Sequence, residues 1–335
     1  MAMRWRDYPC RAVAVDLGST TARLFVEGHG VVAAEPSVLA RCKWTGRLLG
    51  AGAEAQAMAG PGVKLVEPIR DGVPADPDGT EALLRGLLRR HLGKRYMAKP
   101  RLAITVPSTV TPLQYRAVQQ IAYKAGARRV TIVPTPLAAA RGAEERPNAV
   151  IADVGAEVTD VGLLGCDGLV SAHGVLAGSG TLSRAIIALV RREHELLLSA
   201  QEADAARLAY GGAVRGRDLH TGMPREVSLS AQEVRHVLAG PLATIAEAVR
   251  EGLAECPPDL AVDLLKNGVT LTGGGARLPW LPELIREATG VPVRVADEPE
   301  EAAVKGAARF LRIEDVGDLV PRAWPSGLLG GLAGA

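Results

Sequence analysis

Asp16-Leu17-Gly18-Ser19-Thr20 follows the apolar run Ala12-Val13-Ala14-Val15, and the same turn returns as Asp153-Val154-Gly155 behind Ala149-Val150-Ile151-Ala152. A buried strand ending in Asp-X-Gly and a small or hydroxyl residue brings backbone N–H groups up to phosphate oxygens, because glycine leaves room for a close approach. Two such turns predict a nucleotide clamped between two halves. The second copy is altered. Ala156, Glu157 and Val158 follow Gly155, so a carboxylate and a branched side chain stand where another phosphate-embracing turn is expected.

Each turn opens a meander. Strands are predicted at 12–15, 23–26 and 31–33, and again at 149–152, 159–164 and 169–172, with Gly165-Cys166-Asp167-Gly168 turning the chain between the last two. Two copies of one sheet motif predict two homologous domains. Between them, Asp78 or Thr80 can cap a helix through about residue 91, with Leu83, Leu84, Leu87 and Leu88 on one face. A strand at 102–106, a helix at 112–125 capped by Thr111, a strand at 130–133 and a small-residue helix opened by Pro136 follow. That last helix, Leu137-Ala138-Ala139-Ala140, lacks bulk and permits close packing across a domain junction.

After the second meander, helices are predicted at 181–198 and 201–209, broken by Gly211-Gly212. Ser230-Ala231-Gln232-Glu233 is a capping box opening a longer helix that Pro241 should kink or divide. A strand at 269–271 runs into Thr272-Gly273-Gly274-Gly275; a strand at 293–295 and an Ala-rich helix from about 299 complete the pattern. The alternation gives an α/β fold. The expected domains are 10–145, with a smaller subdomain about 34–70, and 146–312, with one about 183–250, before a flexible tail at 313–335.

At 335 residues and 47% hydrophobic content, the chain can bury substantial cores. Lys+Arg 39 against Asp+Glu 37 gives a net charge of +2 without a long basic run, which excludes an electrostatic footprint for nucleic acid. The four cysteines, Cys10, Cys42, Cys166 and Cys256, form no Cys-X-X-Cys spacing and read as reduced cytosolic thiols, the last two as small buried apolar groups. No apolar run approaches the ~20 residues of a membrane span, and Met1 to Pro9 has no apolar signal core. The six histidines make no metal-ligand spacing.

Leu271-Thr272-Gly273-Gly274-Gly275-Ala276 lets a flat base or a phosphate lie against bare backbone. Two Asp-Gly turns followed by this motif is the order found in the actin, heat-shock chaperone and sugar-kinase ATPase superfamily. The chain resembles bacterial actin, the MreB rod-shape family, almost end to end. The matching stretches include Asp16-Leu17-Gly18, Glu35-Pro36-Ser37-Val38, Asp71-Gly72-Val73-Pro74-Ala75-Asp76, Val106-Pro107-Ser108, Pro136-Leu137-Ala138-Ala139-Ala140, Val214-Arg215-Gly216-Arg217-Asp218-Leu219 and Leu271-Thr272-Gly273-Gly274-Gly275.

The resemblance implies an actin-like fold, two duplicated ribonuclease-H-like domains around a nucleotide cleft, each with a smaller subdomain. It also implies Mg-ATP in that cleft, filaments of the protein with itself, and guidance of cell-wall synthesis beneath the inner membrane. By carry-over, Gly18, Ser19, Thr20 and Gly155 would meet phosphates, Asp16 and Asp153 would hold Mg²⁺ through water, and Gly273, Gly274, Gly275 and Arg207 would border the adenosine. Three departures fall in that site. Ala156-Glu157-Val158 replaces Gly-Gly-Thr; Pro134-Thr135 replaces the acidic pair that positions the attacking water; and Arg207 has no following Glu at the matching place. A carboxylate ~5 Å from one phosphate charge at an effective dielectric of ~20 opposes binding by roughly 3 kcal/mol. The expectation is a scaffold that is at most a slow ATPase.

The alternatives within the superfamily are a small-molecule kinase, which would need a further catalytic Asp, and a chaperone-like ATPase, which would need an added substrate domain. The family's membrane contact would fall on Met1, Met3, Trp5 and Tyr8 or on Tyr96-Met97, giving a cytoplasmic protein peripheral to the membrane.

Overall fold

In a computed structural model, residues 12–93, 99–313, 315–321 and 324 are described. The candidate anchors Met1–Tyr8 and Tyr96-Met97 lie outside them. The first half runs β1 (Ala12–Leu17), β2 (Thr21–Val26), β3 (Gly30–Pro36), β4 (Leu39–Cys42), β5 (Leu48–Ala51), α1 (Ala53–Ala57), β6 (Val63–Val66), β7 (Ile69–Arg70), β8 (Val73–Pro74), α2 (Pro77–Leu92), β9 (Arg101–Val106), α3 (Pro112–Lys124), β10 (Arg129–Pro134) and α4 (Thr135–Gly142). The second runs β11 (Val150–Val154), β12 (Thr159–Leu164), β13 (Leu169–Val175), α5 (Ser179–Glu193), β14 (Leu196–Leu198), α6 (Ala200–Ala209), β15 (Gly212–Asp218), β16 (Pro224–Leu229), α7 (Ala231–Ala254), α8 (Pro258–Asn267), β17 (Val269–Thr272), α9 (Leu281–Thr289), β18 (Val293–Val295) and α10 (Ala302–Ala308).

The duplication is carried into the sheets. One five-stranded sheet is ordered β10-β9-β1-β2-β3 and the other β13-β12-β11-β17-β18, so each is an antiparallel meander extended by two parallel strands. The buried faces of β1 and β11 are almost continuous apolar runs, as strands covered on both faces require. Small sheets, β5-β4-β6 and β14-β15-β16, are appended to the first and second halves.

Local signals account for most element ends. Thr111 caps α3 with a reciprocal capping box to Gln114, and Ser230 does the same for α7 with Glu233. The cap of α2 is Asp76, which accepts from the Gly79 N–H at 2.9 Å, ahead of both expected caps, Asp78 and Thr80. Pro241 does not divide α7, which continues through it to Ala254. The helix predicted to reach 198 stops at Glu193; Glu195 takes φ 52, and Leu196–Leu198 pairs as a strand with β15. Cys166 is exposed rather than buried.

The two halves are joined by exchanged helices. α4, which ends the first half, also packs on β11 and β12; α10, near the end of the second, packs on β1, β9 and β2. They cross without intervening side chains. A Cβ on Gly306 would overlap the Ala138 carbonyl, and one on Gly142 would overlap the Ala302 carbonyl. The small-residue helix thus makes the close junction its composition permits. Beyond α10 the chain does not leave the surface at once: Val316, Val320 and Trp324 are buried in the first core, so this part of the expected flexible tail is packed.

Gly306→Ala should therefore destabilise the protein by about 1–3 kcal/mol or more, since neither backbone can retreat. Gly60→Ala, with only the Met58 carbonyl oxygen 4.0 Å away, should stay near wild type. Thermal denaturation compares them, and equal melting temperatures would contradict the tight crossing.

Candidate functional site

β1 and β11 end at one cleft of ≈ 310 Å³ between the two halves. Their turns share a backbone shape. A Cβ on Gly18 would lie 2.7 Å from the Thr21 carbonyl oxygen, and one on Gly155 would lie 2.9 Å from that of Val158. Ala156 and Glu157 therefore stand where Ser19 and Thr20 stand in the first turn. The difference between the copies lies in side chains, while the backbone is retained.

A second repetition lies beneath the turns. Thr105 on β9 is in register with Asp16 and donates to its Oδ1 at 2.7 Å; Thr272 on β17 is in register with Asp153 and donates at 2.8 Å. Each neighbouring parallel strand thus supplies a hydroxyl that fixes the carboxylate.

The cleft is electrostatically strained. Burial raises the Asp16 carboxyl above its usual range, against the pull of Arg23, 3.9 Å away, and of the Thr105 hydroxyl. Burial, followed by the charge of Asp16, pushes Asp153 up to about 7. A third buried carboxyl, Asp160 on β12, is pushed by burial up to about 6, although it accepts the Ser108 N–H at 2.9 Å and the Ser108 hydroxyl.

A buried cation on the cleft wall is underemployed. Arg207 on α6 is 7% exposed, and its Nη2 donates to Asp204 Oδ1 at 3.2 Å. Its Nε and Nη1 are buried without a partner, and burial pulls its pKa down. Unpaired buried donors are costly, typically ~1–3 kcal/mol, so this side chain has N–H groups left over for further acceptors at the cleft.

Glu157 does not swing out of the cleft. Its Oε2 accepts the Asp71 N–H at 2.7 Å, across the cleft, and its Oε1 accepts from Arg184 at 3.3 Å. Asp71 and Gly72 are the two central residues of the β7–β8 hairpin, with φ 52 and 71, the geometry an Asp-Gly turn favours. The adjacent Gly72 N–H donates to Ser19 Oγ at 3.1 Å, so one hairpin holds both turns.

The family model described as MreB/Mbl protein matches residues 10–316. The chain belongs to the MreB/Mbl family. Cell shape-determining protein MreB of Escherichia coli (strain K12) is 34% identical, with 95% of this chain and 99% of that protein covered. Cell shape-determining protein Mbl of Bacillus subtilis (strain 168) is 31% identical, covering 90% and 96%. MreB5 of Spiroplasma citri, solved with AMPPNP, superimposes with a TM-score of 0.81 at 26% identity, covering 90% and 96%. The MamK double helical filament, at 19% identity and TM-score 0.76 over 90% and 98%, shares the actin-like fold.

The residues that the MreB resemblance singles out are brought to one place. Asp16, Gly18, Ser19, Thr20, Asp153, Gly155, Arg207, Gly273 and Gly274 all border the cleft. Gly275 does not. It is buried behind the motif, where a Cβ would overlap the Val154 side chain, so its glycine serves packing of the turn against β11. Thr135 borders the cleft as well. The second turn's carbonyls are engaged from below: the Ser179 N–H donates to Gly155 O at 2.8 Å, and the Gly180 N–H to Ala156 O at 2.7 Å. Thr105, Arg23, Asp160 and the cleft position of Asp71-Gly72 are not assigned by the sequence reading. Among the described residues no helix is long and apolar enough to cross a membrane.

The raised carboxyls give a signed pH dependence. Asp153 and Asp160 bind protons more tightly in the folded chain than in the unfolded one, so their contribution is fully present below the unfolded value of 3.8. It is lost as pH rises through about 6 and about 7. Without ligand, the melting temperature should fall between pH 4 and pH 8, and Asp153→Asn should flatten the upper part of that fall. A wild-type melting temperature that rises across this window would contradict the burial of both groups.

Proposed function

We propose that this chain is an actin-like cytoskeletal scaffold that acts in cell-shape determination and in the guidance of cell-wall synthesis. It would form filaments with copies of itself in the cytoplasm, at the inner membrane surface and alongside the cell-wall synthesis machinery. The observation that carries this reading is the MreB/Mbl match over residues 10–316. That membership sets aside the small-molecule kinase and the chaperone-like ATPase.

The cleft would take a nucleotide, the ligand class with which MreB5 of Spiroplasma citri was solved, as AMPPNP and as ADP, and Mg²⁺ would accompany it. The Ser19 and Thr20 hydroxyls and the close backbone at Gly18 would receive phosphate oxygens, with Gly155 lining the facing wall of the cleft. Arg207 would give its two unpaired N–H groups to ligand acceptors, and the bare backbone of Gly273 and Gly274 would border the nucleoside, with Gly275 supporting from behind. Asp16 and Asp153 fit a divalent cation because desolvation raises the proton affinity of both and the charge of Asp16 raises that of Asp153 further, a cost that a cation would relieve. Among the described residues no three His, Cys, Asp or Glu side chains converge as direct ligands. Mg²⁺ retains several of its own waters, which is how two carboxylates would hold it. The bound cation would neutralise phosphate charge.

Hydrolysis is a different matter. Thr135 offers a hydroxyl where a carboxylate is needed to take a proton from water, and losing such a group costs about 10²–10⁴ in rate. Nucleotide would then act as a structural ligand that biases assembly, with turnover slow or absent.

Calorimetry with ADP and Mg²⁺ should give saturable binding that Arg207→Ala weakens by roughly tenfold or more, the value of a buried charge-assisted hydrogen bond. Electron microscopy of the same protein should show filaments, and phosphate release from ATP should stay near background. Absence of filaments under every nucleotide condition would overturn the scaffold reading; rapid phosphate release would overturn the role given to Thr135.

A further inference from the structure

The second turn presents an anion of its own. Glu157 occupies the place that Thr20 occupies in the first turn, and its carboxylate is 15% exposed, held by the Asp71 N–H at 2.7 Å and the Arg184 guanidinium at 3.3 Å. Backbone N–H groups and guanidinium groups are also the donors that bind phosphate oxygens. Here they are spent on a side chain. The donors beneath the turn are spent as well, since the first N–H groups of α5 go to the Gly155 and Ala156 carbonyls.

The first turn differs on every count. Its Ser19 and Thr20 carry hydroxyls, Arg23 lies behind it, and no carboxylate stands in place of Thr20. Negative charge delivered by a ligand is therefore welcomed at the first turn and opposed at the second.

The bridge also reaches between the halves. Asp71 and Gly72 connect Glu157 of the second half to Ser19 of the first, and beside them Pro107 lies against Gly72 while Ser108 donates to Asp160. These contacts close that end of the cleft from within the protein, with no need for a ligand phosphate to draw the halves together.

We propose that Glu157 is a specificity-determining residue that stands in for a terminal phosphate, so that the cleft selects a nucleoside diphosphate over the corresponding triphosphate. This rests on the reading of the cleft as a nucleotide site. A diphosphate fits the first turn and leaves the Glu157–Asp71 bridge intact. A third phosphate must approach the carboxylate or break the bridge, and the Coulomb opposition of a nearby like charge lowers affinity by about tenfold or more.

Calorimetry on the full chain at fixed Mg²⁺, with ADP and AMPPNP, reads the ratio of the two dissociation constants. Wild type should favour ADP by about tenfold or more, and both Glu157→Gln, which keeps the size and removes the charge, and Glu157→Gly should shrink the ratio at least about fivefold. Equal dissociation constants in wild type, or a ratio unmoved in both variants, would overturn the inference while leaving the nucleotide site standing. Failure of both nucleotides to bind any of the three proteins would overturn the nucleotide reading and this inference with it. A ligand-free readout is independent of affinity: the Asp71 amide should exchange hydrogen at least about tenfold faster in Glu157→Gly. Unchanged exchange there would remove the bridge on which the proposal depends.

Discussion

Backbone contact between α4 and α10 is the constraint from which the architecture follows. Gly142 and Gly306 allow the carbonyls of Ala302 and Ala138 to lie where side chains would ordinarily intervene. Because each helix packs on the sheet of the other half, the two sheets cannot separate without exposing apolar surface from both. The duplicated strands β1 and β11 are thereby held with their Asp-bearing ends turned to a common cleft. Small changes at the crossing would be felt as changes in cleft width, since packed interiors transmit strain rather than absorb it.

Around that frame the cleft is built from two half-sites of the same plan and unequal chemistry. Both have the narrow glycine turn, the buried aspartate and the threonine from the neighbouring parallel strand. The first half-site keeps hydroxyls for a ligand, and the second satisfies itself through Glu157, Asp71 and Arg184. Carboxyls with raised proton affinity and a buried arginine with unpaired N–H groups line the same cleft, a set of unfavourable terms that a phosphate ester with a divalent cation would relieve. Stability given up locally in this way is characteristic of a binding site rather than of a core.

Much of this was legible in the chain because it is written in local residues. The Asp-X-Gly turns, the Thr111 and Ser230 caps and the small-residue helix declare themselves within a few positions. The helix predicted through Leu198 ends sooner because three leucines suit either period, and only the left-handed turn at Glu195 and the pairing with β15 decide between them. Thr105 and Thr272 look like ordinary strand residues until strand register sets each beside an aspartate. Glu157 was legible as an intrusion but not as a bridge, since its partner Asp71 lies 86 residues away along the chain. Gly275 reads as part of a ligand-facing run, yet the turn places it behind, against Val154. Val316, Val320 and Trp324 resemble a loose terminus by composition, and only the first core shows what they cover.

One jaw of this cleft would receive phosphate, while the other is filled by the protein itself. A crystal or cryo-electron-microscopy structure of the full chain with ADP and Mg²⁺ tests it most directly. Diphosphate density is expected on the Gly18–Thr20 turn, the cation between Asp16 and Asp153, Arg207 donating to the nucleotide, and Glu157 still bonded to the Asp71 amide. Diphosphate seated on the Gly155–Glu157 turn with Glu157 swung away from Asp71 would contradict it.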